Sequence, residues 1–126
     1  MIRGIGVDLV EVNRLEKVME RWGTRFIEKV FTPLERRYCS SKHNPSPHYA
    51  ARFAAKEAVA KALATGWSGG FRWKDVEVTN DDLGKPSVIL HGQVKTLLKE
   101  CQVLISISHT EEMVIASAII ETPARN

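Results

Sequence analysis

Cysteine is scarce: Cys39 and Cys101 stand alone among 126 residues, with no C-x-x-C pair and no histidine at zinc-ligand spacing. That excludes a disulfide framework and a cysteine-based zinc site, and reads as two free thiols of a reducing, cytoplasmic compartment. Long apolar runs are missing as well. Stretches such as Leu104-Ile105 and Val114-Ile115-Ala116 fall far short of the roughly 18 residues that a membrane span needs. Arg3, Asp8 and Glu11 stand where a signal peptide would keep its apolar segment, so neither secretion nor membrane insertion is expected. Aromatic residues are few, with 4 Phe and 2 Tyr and no strand-borne cluster of the kind that stacks bases in the common RNA-binding modules. No nucleic acid partner is expected. Signature loops are absent too: there is no Walker sequence and no G-x-S-x-G elbow, and Gly4-x-Gly6 lacks the third glycine of a dinucleotide fold.

What remains is ordinary globular material. Leu, Ile, Val and Phe supply 34 residues, about 27% of the chain, above the roughly 20% under which disorder sets in. The length suits one domain over residues 1–126. The net charge of +3 is unevenly spread: residues 1–63 carry 12 basic and 7 acidic side chains, a balance of +5, and residues 64–126 carry 6 and 8, a balance of −2. An anionic partner is expected to meet the first half.

Arg3, Ile5, Val7 and Leu9 alternate with Gly4, Gly6 and Asp8, the period of a strand. The glycines leave one face bare, which suits either the close approach of another element or simply a twisted or bulged strand. From Asn13, read as an N-cap, Leu15, Val18, Met19 and Trp22 recur at helical spacing up to Gly23. Thr32-Pro33-Leu34-Glu35 spells a capping box. Ser46-Pro47 opens an alanine-rich helix predicted to run to about Thr65, and Gly66 to Gly70 reads as a flexible loop. Two alternating runs, 76–79 and 87–90, flank a glycine-containing turn as a hairpin. A helix with Val94, Leu97, Leu98 and Cys101 on one face follows, and two β-branched runs, 103–108 and 113–120, precede a frayed tail from Glu121. The order β-α-α-α-β-β-α-β-β describes an α+β domain with a mainly antiparallel sheet.

A few residues are poorly explained by packing. Asp8 sits on the apolar strand Ile5-Gly6-Val7-Asp8-Leu9-Val10, where an unpaired buried charge is costly. It either lies just beyond the sheet in solvent or is a metal ligand or catalytic carboxylate at a strand end. Glu57 and Lys61 stand at i, i+4, which fits an exposed ion pair. The crowd of Ala54, Ala55, Ala58 and Ala62 around them instead suggests a helix packed on several sides. Ser106-Ile107-Ser108-His109 ends a strand with hydroxyls and an imidazole, but neighbours on a strand face opposite ways, so they do not make a nucleophile–base pair. Arg14, Lys17, Arg21 and Arg25 form a nearly pure basic row opposite the apolar stripe. Such a row is either a solvated face or a grip for an acidic partner.

Together these segments resemble the holo-acyl-carrier-protein synthase family of 4′-phosphopantetheinyl transferases. The likeness rests on Gly4-Ile5-Gly6-Val7-Asp8, on Arg52-Phe53-Ala54-Ala55-Lys56-Glu57-Ala58 with Lys61-Ala62 and Thr65-Gly66, on Gly84-Lys85-Pro86, and on Ser106-Ile107-Ser108-His109. It implies transfer of the phosphopantetheine arm of coenzyme A to a serine of an apo acyl carrier protein, a step of fatty acid biosynthesis. Adenosine 3′,5′-bisphosphate is the leaving product. By the same resemblance, Asp8 and Glu57 hold Mg²⁺, Lys61 neutralises phosphate charge, Arg52 and His109 contact the nucleotide, and Gly84-Lys85-Pro86 lies against the adenine. Arg14, Lys17, Arg21 and Arg25 face the acidic carrier protein. The family implies a homotrimer with its sites between subunits, and Gly4, Gly6, Ser106, Ser108, Ala116 and Ala118 are compatible with crowded strand packing there. The residues alone leave a metal-dependent nucleotide hydrolase as the alternative.

Overall fold

In the computed structural model, which describes residues 1–63 and 71–123, the alternation at the N-terminus becomes β1 (Ile2–Glu11). Four helices follow: α1 (Val12–Trp22), α2 (Thr24–Val30), α3 (Pro33–Ser40) and α4 (Pro45–Leu63). A short 3₁₀ turn (Trp73–Asp75) leads into the hairpin of β2 (Val76–Asn80) and β3 (Pro86–Leu90). Then come α5 (Gly92–Leu97), β4 (Gln102–His109) and β5 (Met113–Glu121). The expected α+β domain with antiparallel strands is what forms, as a sheet in the order β1-β5-β4 beside the separate β2-β3 hairpin. No helix among the described residues is long and apolar enough to cross a membrane.

The sheet has two unlike faces. Gly4, Gly6, Asp8 and Val10 of β1 share a face with Val114, Ala116, Ala118 and Ile120 of β5, and α4 lies against it. A Cβ on Gly6 would stand 1.9 Å from the Ala58 carbonyl oxygen, and one on Gly4 would stand 2.1 Å from that of Ala62. Strand and helix therefore touch backbone to backbone. The bare glycine face is used inside the chain, and so are Ala116 and Ala118, which corrects their expected part in subunit packing. The opposite face exposes Ile5, Val7, Leu9, Leu104 and Ile115.

Several sequence expectations shift. A whole helix, α2, was not foreseen, because Gly23 ends α1 and only seven residues follow before Phe31. Glu11, not Asn13, occupies the N-cap of α1, since β1 runs directly into the helix. Val12 and Leu15 are buried, whereas Trp22 is exposed beneath Arg21, 5.4 Å from its ring centroid. Helix α4 begins at Pro45, one residue before Ser46, and the parts of its predicted extent beyond Leu63, with the Gly66–Gly70 loop, lie outside the described residues. On α5 and its exit, Val94 and Leu98 face inward but Leu97 is exposed and Cys101 follows the helix. Glu121 is no frayed end: it pairs with Ile2 and Gln102 in the sheet, and the Thr122 amide donates to the Met1 carbonyl.

The interior carries an ion pair. Lys56 Nζ lies 2.7 Å from Glu35 Oε1 with neither side chain exposed, and it also donates to the carbonyls of Trp73 (3.0 Å) and Val76 (2.5 Å). Glu35 is the second member of the capping box that Thr32 opens, so its Oε1 also accepts from the Thr32 amide. Its Oε2 accepts from the Val78 amide at 2.7 Å. The Thr32 hydroxyl donates to Glu77, whose other oxygen meets His91 Nε2 at 3.0 Å. Burial lowers the proton affinity of Lys56 despite Glu35 beside it. Burial also pushes the Glu77 carboxyl up, but donors from Thr32 and His91 and the charges of His91 and Lys56 outweigh it, leaving it below the usual carboxylate range. Replacing one partner of such a pair strands the other charge, at a cost of roughly 3–5 kcal/mol. Lys56→Met should therefore lower the urea unfolding free energy by that order, and adding Glu35→Gln should recover part of the loss, because it removes the stranded charge and keeps an amide oxygen for the Val78 amide.

Candidate active site

The close packing of β1 on α4 decides where the polar residues meet. Asp8 follows Gly6 by two positions on the same strand face, and it reaches the helix where Glu57 and Lys61 stand one turn apart. Lys61 Nζ lies 2.8 Å from Asp8 Oδ1 and 3.2 Å from the Val7 carbonyl oxygen. The pairing is across elements rather than the intrahelical one that the i, i+4 spacing suggests. Glu57 has a raised proton affinity: burial is the chief cause, the Asp8 charge adds to it, and Lys61 opposes it. The Lys61 ammonium is held above its usual range, mainly by its hydrogen bond to Asp8. Asp8, Glu57 and Arg14 line a cleft of about 360 Å³ whose other walls include Val10, Leu15, Phe26 and Phe53.

A second polar cluster lies toward the N-terminal half of α4. Arg52 is buried, with Nη2 donating to Asn80 Oδ1 at 2.8 Å and its guanidinium carbon 3.9 Å from the Tyr38 ring centroid. Lys42 approaches the same ring at 4.5 Å, and His48 meets it edge-on. The His48 imidazole is held below its usual range by burial first and then by the charges of Lys42, Arg52 and His109. Four basic side chains thus stand together, and the Arg52 Nε is buried without a partner. Such a cluster suits an anion. Asn80 Nδ2 donates to the Gly84 carbonyl at 3.0 Å, which links Arg52 to the Gly84-Lys85-Pro86 turn.

The sequence-predicted residues thus sort into places. Asp8, Glu57 and Lys61 meet, Arg52 and His109 share the cationic cluster, and Gly84, Lys85 and Pro86 form the turn beside it. Arg14, Lys17 and Arg21 lie exposed on α1, and Arg25 belongs to α2 instead of extending that helix. None of these four is ion-paired among the described residues. Sequence reasoning missed Tyr38, Lys42, His48 and Asn80, which come from α3, the turn after it, α4 and β2 and carry no shared spacing. Lys56 was readable in principle, since a lysine amid Ala54, Ala55 and Ala58 has little water to reach. Both cysteines are free, and burial pushes the Cys39 thiol up to about 12, which makes it inert.

Comparison with known proteins agrees with this geometry. The family profile of the 4′-phosphopantetheinyl transferase superfamily matches residues 4–118. A holo-[acyl-carrier-protein] synthase of Koribacter versatilis is 46% identical, over 96% of this chain and 99% of its own. Among solved structures, the holo-[acyl-carrier-protein] synthase of Neisseria meningitidis superposes with a TM-score of 0.88 at 34% identity, covering 97% of this chain and 100% of its own. That of Bacillus anthracis, in complex with CoA (3′,5′-ADP), gives 0.81 at 38% identity, covering 98% and 99%.

The crowding of Glu57 has a thermodynamic signature. A carboxyl with a raised folded-state pKa favours folding when protonated, and that contribution is lost as pH rises through the raised value. Glu57→Gln should therefore raise the melting temperature at neutral pH without added metal, and the gain should vanish at about pH 3, roughly a unit below the usual Glu value of about 4.3, where the wild-type carboxyl is protonated folded or unfolded. Melting curves at the two pH values check this.

Proposed function

The chain belongs to the 4′-phosphopantetheinyl transferase superfamily, and from that membership we propose that it transfers the 4′-phosphopantetheine arm of coenzyme A to a serine of an apo acyl carrier protein. The products are the holo carrier and adenosine 3′,5′-bisphosphate. The meeting of Asp8, Glu57 and Lys61 where β1 crosses α4 carries this reading, in a chain that matches its relatives nearly end to end.

A divalent ion, Mg²⁺, belongs to the proposal, and the donor set fits it. No group of three His, Cys, Asp or Glu side chains among the described residues could cage a metal. Mg²⁺ instead takes one or two carboxylates together with substrate phosphates and water. Asp8 and Glu57 would hold it, and a cation there would offset the burial of Glu57 and the Asp8 charge beside it, which together raise its proton affinity. When bound, it supplies charge neutralisation to the pyrophosphate.

The remaining work falls to side chains of this chain and of its partner. The carrier serine oxygen bonds to the phosphorus bearing the pantetheine arm, the bond to the nucleotide phosphate breaks, and the serine proton is lost. Glu57 or a water molecule at the site takes that proton. Lys61 offsets charge gathering on the leaving phosphate. Arg52 meets a phosphate of the nucleotide, His109 a phosphate or the ribose, and the turn Gly84-Lys85-Pro86 faces the adenine. Arg14, Lys17 and Arg21 on α1, with Arg25 on α2, present exposed positive charge to the acidic carrier protein. The setting would be fatty acid biosynthesis in the cytoplasm, which suits two free thiols.

We extend the proposal to a homotrimer with sites between subunits, encoded as one domain over residues 1–126. The outer sheet face supports it: Ile5, Val7 and Leu9 are 65%, 50% and 60% exposed on one strand, with Leu104 and Ile115 beside them. An apolar patch of that kind marks an interface.

Intact-mass analysis after incubation with coenzyme A, Mg²⁺ and an apo carrier protein tests the transfer. Attachment of the arm is expected, and coenzyme A cleavage without attachment would favour a hydrolase. In the same assay Asp8→Ala should abolish attachment. Arg14→Glu with Arg21→Glu should lower kcat/KM for the carrier, most at low salt, and leave the KM for coenzyme A in place. Light scattering should return three chains per particle, and Val7→Glu should yield monomers. A fully active wild-type monomer would overturn the shared site.

A further inference from the structure

Asn80 ends β2 directly opposite Pro86, and both halves of its amide are engaged. Oδ1 accepts from Arg52 Nη2 at 2.8 Å, and Nδ2 donates to the Gly84 carbonyl at 3.0 Å. Those two contacts fix the amide orientation, since oxygen and nitrogen could not exchange places without setting like groups against each other. Arg52 needs such a hold. Its Nε is buried without a partner, its ring neighbour Tyr38 restrains only the plane of the guanidinium, and the amide oxygen of Asn80 sets the direction of the fork. A neutral amide orients that cation without cancelling its charge, whereas a carboxylate would compete with any phosphate.

We propose that Asn80 is a positioning residue for coenzyme A recognition: its amide locks the Arg52 guanidinium to the Gly84-Lys85-Pro86 turn, so that the phosphate contact and the adenine-facing turn act as one unit. This rests on the reading of the site given above. The turn itself does not depend on Asn80. Asp81 Oδ1 accepts from the Leu83 and Lys85 amides at 2.9 and 2.8 Å, and the Asp81 backbone bonds to both Gly84 and Lys85. Removing the amide therefore cuts the link and leaves both linked parts standing.

Calorimetric titration with coenzyme A, alongside steady-state kinetics, tests the link in the full-length protein. Asn80→Ala should weaken coenzyme A binding by about tenfold, the scale of one hydrogen bond to a charged group. It should raise the KM for coenzyme A and leave kcat at saturation and the KM for the carrier protein unchanged. Asn80→Asp, which keeps the side-chain shape, should weaken binding at least as much, because its charge pairs with Arg52. If the alanine variant melts much earlier than wild type, the aspartate variant decides the matter. The double variant Asn80→Ala with Arg52→Ala should bind no more weakly than Arg52→Ala alone. Additive losses, an unchanged affinity, or a fall in kcat at constant KM would each overturn the link while wild-type binding upholds the functional reading. A wild-type protein that fails to bind coenzyme A would overturn both.

Discussion

A salt bridge that water never reaches ties α3, α4 and the entry to β2 together. Lys56 spends all three of its hydrogens on Glu35 and on two carbonyls at the entry to β2, and Glu35 returns the favour to the start of α3 and to Val78. Because each group is fully satisfied, the pair holds α3, α4 and the hairpin in one relative orientation. An apolar substitute of equal volume could fill the space, but it would have no directional reason to choose this register. The choice matters because Glu57 is the next residue along α4.

Helix α4 serves a different neighbour with almost every residue. Ala58 and Ala62 receive the glycines of β1, Lys56 enters the core, Arg52 reaches the hairpin, and Glu57 with Lys61 faces Asp8. Such a helix has no solvent stripe of the usual kind, which is why its composition is rich in alanine. Small side chains let several elements approach one axis, and the few long ones are each aimed at a polar target. Two separated chemistries result on one rod: a carboxylate pair near its second half and a cationic cluster near its first.

Much of this was legible in advance. The strand period at the N-terminus, the Thr32–Glu35 capping box, the hairpin and the antiparallel ending were carried by local signals that the fold leaves intact. Helix α2 escaped because it is short and follows Gly23 without a cap residue. Trp22 was misread because a large aromatic at helical spacing looks like core, yet it is half exposed, with the Arg21 guanidinium against its ring. At the site, Asp8 and Glu57 stood out as charges in apolar surroundings. The companions of Arg52 did not, since Tyr38, His48 and Asn80 are brought together only by the packing of α3, α4 and β2.

The contact of Gly4 and Gly6 with Ala58 and Ala62 leaves no side chain between strand and helix. A spacer made of side chains can hop between rotamers and widen or narrow a gap by an ångström, but two main chains in direct contact have no such freedom. The spacing of the two main chains that carry Asp8 and Glu57 is therefore set by a hard stop. Substitutions elsewhere in the core can change the stability of this protein considerably while leaving that spacing untouched. Adding a single methyl group at Gly6 would act on the distance itself.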